Sequence, residues 1–294
     1  MQSIKQDLPR KGGSKTLGSV LSMLAGSSLL LATLAVADGF EDGLPDGWTC
    51  EGECGTAGAD GDISLSPSGF GAYGWVATRS DSPTGLALEG VGGDGNPTTG
   101  SRLRSAAFSA SAGDDLEFFF NYVTSDGGGF ADYAWARLLD DQLNEVALLF
   151  TARTSQDDTE STVPGFEMPD IEATITPDEV FIIANATNWS PLGNDSGSCF
   201  SAGCGNTDWV QSNFEIPADG NYVLEFGAVN WNDGSFQSGL AFDGITVEGD
   251  PIEPGDPAPP TEPPVAVPTL SAIGIIFFSL MLMLAGLAAV RLRG

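Results

Sequence analysis

From Asp115 to Val123 the chain reads DLEFFFNYV, which sets Leu116, Phe118, Phe120 and Tyr122 on one face of an extended strand. DYAWARLL, from Asp132 to Leu139, divides in the same way: Tyr133, Trp135 and Arg137 on one side, Ala134, Ala136 and Leu138 on the other. EVALLFTAR (145–153), EVFIIANAT (179–187), NYVLEFGAVNW (221–231) and SGLAFDGITV (238–247) behave likewise. Turn-forming clusters, SDGGG, DDQLN and PADGN, stand between such runs. No stretch from Asp38 to Glu248 sustains the period of about 3.6 residues that marks a helix. Many short strands with turn punctuation predict an all-β fold: an antiparallel β-sandwich of jelly-roll type whose two inner faces form the core.

Both ends of the chain break this pattern. Lys5, Arg10, Lys11 and Lys15 precede an apolar stretch from Leu17 to Ala37 that closes on Ala35-Val36-Ala37, the order of a secretory signal peptide cut after Ala37. An uncleaved anchor is the other reading, which Gly26, Ser27 and Ser28 weaken. At the far end Ser271 to Val290 carries no charge and is long enough for one helix across a bilayer, and Arg291 and Arg293 follow on the side expected to stay cytoplasmic. Eight prolines between Pro251 and Pro268 make an extended stalk before it. The expected organisation is a signal peptide (1–37), a β-sandwich ectodomain (38–249), a Pro-rich linker (250–266) and a C-terminal sorting segment (267–294).

Charge narrows the partners. Between Asp38 and Pro268 only Arg79, Arg102, Arg104, Arg137 and Arg153 oppose 39 acidic residues, a net −34, with no lysine after Lys15 and no histidine in the chain. Nucleic acid and anionic headgroups are repelled by such a domain. Six tryptophans in the same region argue for a packed core rather than a disordered acidic chain. Without histidine there is no Ser-His-Asp or Cys-His catalysis, and without lysine in the exported part no Schiff base. Carboxylate chemistry of the glycosidase kind is left, but among 39 acids proximity along the chain has no weight. Asp195-Ser196-Gly197 reads as a turn and GVGGDGNPTTG (90–100) as a loop, since no lysine or helix follows it.

The cysteines come in two close pairs, Cys50/Cys54 and Cys199/Cys204. Export makes two disulfides the default. Of the three connectivities the two local loops are favoured, because each closes without help from the fold; a four-thiolate zinc site would use the same pairs. Trp189 and Trp209 flank the second pair in a polar stretch and are the expected exposed rings of a glycan platform, with core packing as the competing fate.

Val267-Pro268-Thr269-Leu270, then the apolar segment, then Arg291 and Arg293, resembles the IPTL-CTERM sorting signal, a relative of PEP-CTERM signals in Gram-negative bacteria. The resemblance implies processing by an exosortase: a precursor anchored in the inner membrane by its C-terminal helix, then release to the cell surface or the extracellular matrix. Val267 replaces the usual Ile, and a plain C-terminal anchor is the alternative. GWTCEGECGTAGADG, NYVTSDGGGFADYAWARLL, PGFEMP and SGSCFSAGCG resemble an uncharacterised family of bacterial exported proteins that carry such tails. These readings together lead to a non-enzymatic surface or matrix protein, with envelope or extracellular polysaccharide as the expected ligand; the rival is a secreted carboxylate-dependent glycan hydrolase.

One acid invites a metal. Alternation in SGLAFDGITV puts Asp243 with Ala241, Ile245 and Val247, an apolar set expected to face the core, where an unpaired carboxylate costs several kcal/mol. Carbohydrate-binding jelly rolls, which the strand pattern resembles, often hold a structural calcium between the first strand, a mid-chain Asp and an Asp on the last strand. The matching positions are Glu41 or Asp42, Asp132 and Asp243. A simple cap of the Asp243-Gly244 turn is the alternative.

The two end signals predict that protein from the native host lacks 1–37 and the apolar tail. Intact-mass measurement checks this; a mature species that keeps Leu270 to Gly294 leaves only the plain anchor.

Overall fold

The computed structural model describes residues 40–155 and 161–252. The expected signal peptide, the linker beyond Ile252 and the sorting segment lie outside them. The strands are β1 (Thr49–Glu51), β2 (Glu53–Ala57), β3 (Tyr73–Ala77), β4 (Pro97–Arg104), β5 (Phe108–Ala110), β6 (Asp115–Thr124), β7 (Tyr133–Asp140) and β8 (Glu145–Arg153). After them come β9 (Thr174–Thr176), β10 (Ile183–Ala184), β11 (Gly205–Asn206), β12 (Val210–Glu215), β13 (Gly220–Trp231), β14 (Ser238–Val247) and β15 (Asp250–Pro251). A short 3-10 turn, Ser190–Asp195, is the helical element of the described residues.

Two antiparallel sheets result. The first runs β1-β4-β13-β7-β8, with β5 beside β13. The second runs β10-β11-β6-β14-β3-β2, with β12 on β6, β9 on β12 and β15 on β14. The runs that alternate most cleanly became the long strands β6, β7, β8, β13 and β14. Their inner faces meet through aromatic pairs: Phe120 of one sheet stacks on Phe150 of the other at 4.0 Å, and Phe226 on Phe242 at 3.8 Å. Phe118 meets Phe226 edge-on at 5.6 Å. Burying each ring fully contributes about 1.5–3 kcal/mol.

Neither outer face is left to water. On the first sheet Tyr133, Trp135, Leu148, Val229 and Trp231 are roofed by Leu88 and Met168. On the second, Tyr73, Val123 and Ala241 lie beneath Ile63, Trp189 and Leu192. Trp135 lies flat across Gly227, where any β-carbon would sit 2.1 Å from the ring; glycine is required there for close approach.

The same outer face holds the main electrostatic feature. Glu225 on β13 is fully buried, with Arg104 and Arg137 as its direct cross-strand neighbours on β4 and β7. Arg104 Nε and Arg137 Nε each donate to it at 2.7 Å, Arg102 Nε lies 3.5 Å away, and Trp135 Nε1 donates at 3.3 Å. Arg102 and Arg137 also reach Glu51 and Glu145 at the rim.

Two expectations are corrected. EVFIIANAT gives only the two-residue β10, and Phe181 and Ile183 stand 44% and 53% exposed, because a run apolar at successive positions specifies no single face. Asp243 does not face the core. The inward row of β14 is Leu240 and Phe242, and a bulge between Asp243 and Thr246, with Gly244 at φ 62, turns the strand over. Ile245 then enters the main core while Ala241 belongs to the outer cluster.

Glu225→Gln keeps the shape and removes the charge that gathers three guanidinium groups. Breaking a buried ionic group from one side predicts a loss of about 3 kcal/mol, read from the urea midpoint.

Candidate functional site

Along the inner faces the apolar rows change character at one end of the sheets. On β13 the inward row is Leu224, Phe226, Ala228 and then Asn230; on β7, continued backward, it is Leu138, Ala136, Ala134 and then Asp132. The facing rows end in Thr124 on β6 and Ser238 on β14, which are cross-strand partners. A polar layer therefore closes this end of the core, and all four residues are fully buried.

Its hydrogen bonds tie both sheets together. Asp132 Oδ1 accepts from Trp231 N at 2.7 Å and Oδ2 from Ser238 Oγ at 2.7 Å. Ser238 Oγ lies 2.7 Å from Thr124 Oγ1, which in turn accepts from Asp126 N at 3.1 Å. Tyr122 and Thr154 hydroxyls complete the ring, and Tyr122 donates to the carbonyl of Asp132 at 2.8 Å. Asp126, which follows β6, is 1% exposed and accepts from Gly127 N. Among the described residues neither Asp126 nor Asp132 forms an ion pair.

Two buried carboxylates linked through Thr124 and Ser238 disfavour charge. Burial raises Asp126 to about 8, and the negative fields of Asp233 and Asp195 push the same way. Burial first, then the charge of Asp126, lifts Asp132 well above the carboxylate range. Both shifts favour the neutral, protonated form over the charged one.

Immediately outside this layer a cavity of about 690 Å³ opens, lined by Gly93, Asp94, Gly129, Ala131, Arg153, Phe166, Glu167, Trp231 and Asn232. Arg153, from the end of β8, forms its floor. Its guanidinium lies between Phe166 and Trp231, 4.8 and 4.5 Å from the ring centroids. It donates to the carbonyls of Ala131 (3.0 Å) and Gly92 (2.9 Å). Burial draws its pKa down while Glu167 opposes that. Glu167 (φ 53) and Asn232 (φ 72) line the cavity in the left-handed region, a conformation that costs a non-glycine residue roughly 1–3 kcal/mol. Asn232 is fixed by Asn96 N and O and by Gly129 O.

The residues expected from sequence are distributed as follows. Both local disulfides form, Cys50–Cys54 and Cys199–Cys204. Asp243 is buried under the 66–68 segment, and its Oδ2 accepts from the hydroxyls of Ser66 and Ser68. Its Oδ1 has no partner. Glu41 is at the same corner, where it accepts from Gly71 N at 3.1 Å, and Phe40 packs on Phe242. Asp42 is exposed. Asp132 is elsewhere: it bonds Ser238, five residues before Asp243 on one strand, a separation of roughly 16 Å at about 3.3 Å per residue. One ion cannot be shared by Asp132 and Asp243. Among the described residues no three acidic or cysteine side chains are placed to hold a metal by themselves. Trp189 is corrected: it is fully buried, donates to Tyr73 OH at 2.9 Å and roofs the second sheet. Trp209 is half-buried against Tyr73, with Nε1 on the Ser64 carbonyl. Val267 to Leu270, Arg291 and Arg293 lie outside the described residues.

No protein-family model and no curated protein matches the chain. Among solved structures it is similar to the enzymatically active domain of tailspike protein 4 of bacteriophage CBA120, at 11% identity and TM-score 0.30. That match covers 69% of this chain and 19% of the tailspike, so the chain spans about a fifth of it. The K3 cleaved adhesin domain of Lys-gingipain from Porphyromonas gingivalis W83 is similar at 14% identity and TM-score 0.31, over 71% of this chain and 94% of that domain. An alginate lyase from a Corynebacterium species follows at 13% identity and TM-score 0.21, over 59% and 92%. Likenesses this distant carry no weight for fold or function.

The acid pair predicts a pH dependence. Folded carboxylates with raised pKa values hold protons that the unfolded chain releases above about 4. Their stabilisation is therefore present at pH 4 and lost as pH climbs toward 8. With divalent cations removed, Tm falls over that interval, and Asp126→Asn flattens the slope.

Proposed function

We propose that the chain is an exported surface or matrix protein whose β-sandwich, of jelly-roll type, binds polysaccharide at the rim cavity without acting on it. The observation that carries this is the cavity's lining. Two aromatic rings, one guanidinium, two acids and one amide converge on a space large enough for one or two sugar rings. Saccharides present both C–H faces and dense hydroxyl donors and acceptors, and this mixture of rings and planar polar groups suits them. Asn232 and Glu167, held in strained backbone, supply polar groups that are positioned before a ligand arrives. Strands that pass repeatedly between the two sheets support the jelly-roll connectivity. The two disulfides support an oxidising compartment, in keeping with the exported, exosortase-processed precursor that the end signals describe.

Asp94 and Glu167 give the rival reading its one foothold, since both line the cavity. A glycan array run beside a panel of chromogenic glycosides separates the two. The expected result is binding without turnover, weakened about tenfold by Asn232→Ala and by Glu167→Gln, which removes charge–hydroxyl bonds of about 1.5–3 kcal/mol. Turnover abolished by Asp94→Asn or Glu167→Gln would replace the lectin-like reading with a hydrolase.

A further inference from the structure

The polar layer at the end of the core has more acceptors than donors. Asp132 uses one lone pair on each carboxylate oxygen and keeps one on each. Asp126 has one recorded donor, Gly127 N. A third group adds to the excess. Asn230 is fully buried; its amide donates to Thr99 Oγ1 at 3.0 Å and Gln237 Oε1 at 3.2 Å, while its Oδ1 has no hydrogen-bond partner. Register places this residue. Val229 pairs with Tyr133 and Ala228 with Ala134, so the next step sets Asn230 opposite Asp132 on the same inner face.

We propose that this layer binds one divalent cation, calcium by its chemistry, through the carboxylates of Asp126 and Asp132 and the Oδ1 of Asn230. An orphaned buried carbonyl and two adjacent carboxylates each cost free energy that a single ion relieves together. Arginine does not serve: Arg153 feels the field of Asp132 but is committed to backbone carbonyls on the cavity side. Oxygen-only donors of mixed type and irregular placement suit calcium, which takes about 6–8 oxygens, the rest coming from the hydroxyls and water. Zinc, which favours nitrogen and sulfur, is disfavoured. The site differs from the set suggested by sequence, because Asp132 bonds Ser238 at the start of β14 while Asp243 is five residues further along that strand. Trp231 links the two functions: its N–H is held by Asp132, and its ring lines the cavity. Calcium binding stands or falls independently of any saccharide.

The test uses purified full-length chain in detergent, with native mass spectrometry to count ions and calorimetry in two buffers of different ionisation enthalpy. The expected result is uptake of calcium with release of protons, and a rise in Tm. Asp126→Asn and Asn230→Leu each weaken that ion about tenfold or more and reduce the rise in Tm, whereas Asp243→Asn leaves both unchanged. If Asp126→Asn does not fold, Asn230→Leu carries the comparison. A wild type that binds no calcium at millimolar concentration, or Asp126→Asn and Asn230→Leu chains that bind it as tightly as the wild type does, overturns the proposal.

Discussion

Scarcity of positive charge is the constraint under which this domain is built. Five arginines face 39 acids between Asp38 and Pro268, and none can be wasted. Three of them converge on Glu225 at the outer face of the first sheet, joining β4, β13 and β7 through direct cross-strand neighbours. Arg79 lies 3.9 Å from Glu53, and Arg153 is held by carbonyls in the cavity floor. Every other carboxylate must be satisfied in some different way.

Several accept from backbone N–H groups instead. Asp140 accepts from Asn144 and Gln142 backbone N–H groups, Asp62 from Asn188 and Asp60 from Ser190, which holds the former two below the ordinary carboxylate range. Asp140 closes a tight turn in this way, whereas Asp60 and Asp62 pin the 60–62 segment to the distant 188–190 segment. Among the described residues Asp126, Asp132 and Asp243 are buried without an arginine, and the first two belong to a network that ties one sheet to the other. Electrostatics and topology meet there: the place where the core ends is also where a proton or a cation has to be accommodated, and it is the inner wall of the rim cavity.

How much of this was visible in the chain varies with the physics involved. Strict alternation specified the strands β6, β7, β8, β13 and β14 and split each into two rows, because burial of one face leaves a period of two, although on β14 it assigned the inward row to the wrong set. Local spacing gave the disulfides. It failed in 179–187, where no polar partner breaks the apolar run, and at Asp243, where a bulge reverses the strand after the acid. The site was half legible. Asp132 was singled out, and the same logic would have found Asn230, a polar residue in register with Phe226 and Ala228. Asp126 was hidden because SDGGG reads as an ordinary turn, and its burial depends on the opposite sheet. Arg153 and Glu225 gave no local signal, since their partners are distant in sequence. Trp189 misled because a polar neighbourhood along the chain is no guide to which side of a ring meets the sheet.

Glu225's hold on the arginines reaches beyond the fold. With Arg102, Arg104 and Arg137 turned toward one internal anion, and Arg102 and Arg137 also matched to Glu51 and Glu145, little cationic surface is left on that face for a neighbouring copy to grip. Two such domains brought together meet negative against negative in nearly any orientation, and the repulsion extends about one Debye length, roughly 8–10 Å at physiological salt. Densely arrayed copies would behave as a charged brush: spaced by their own fields, collapsing only as ionic strength rises or divalent ions condense between them.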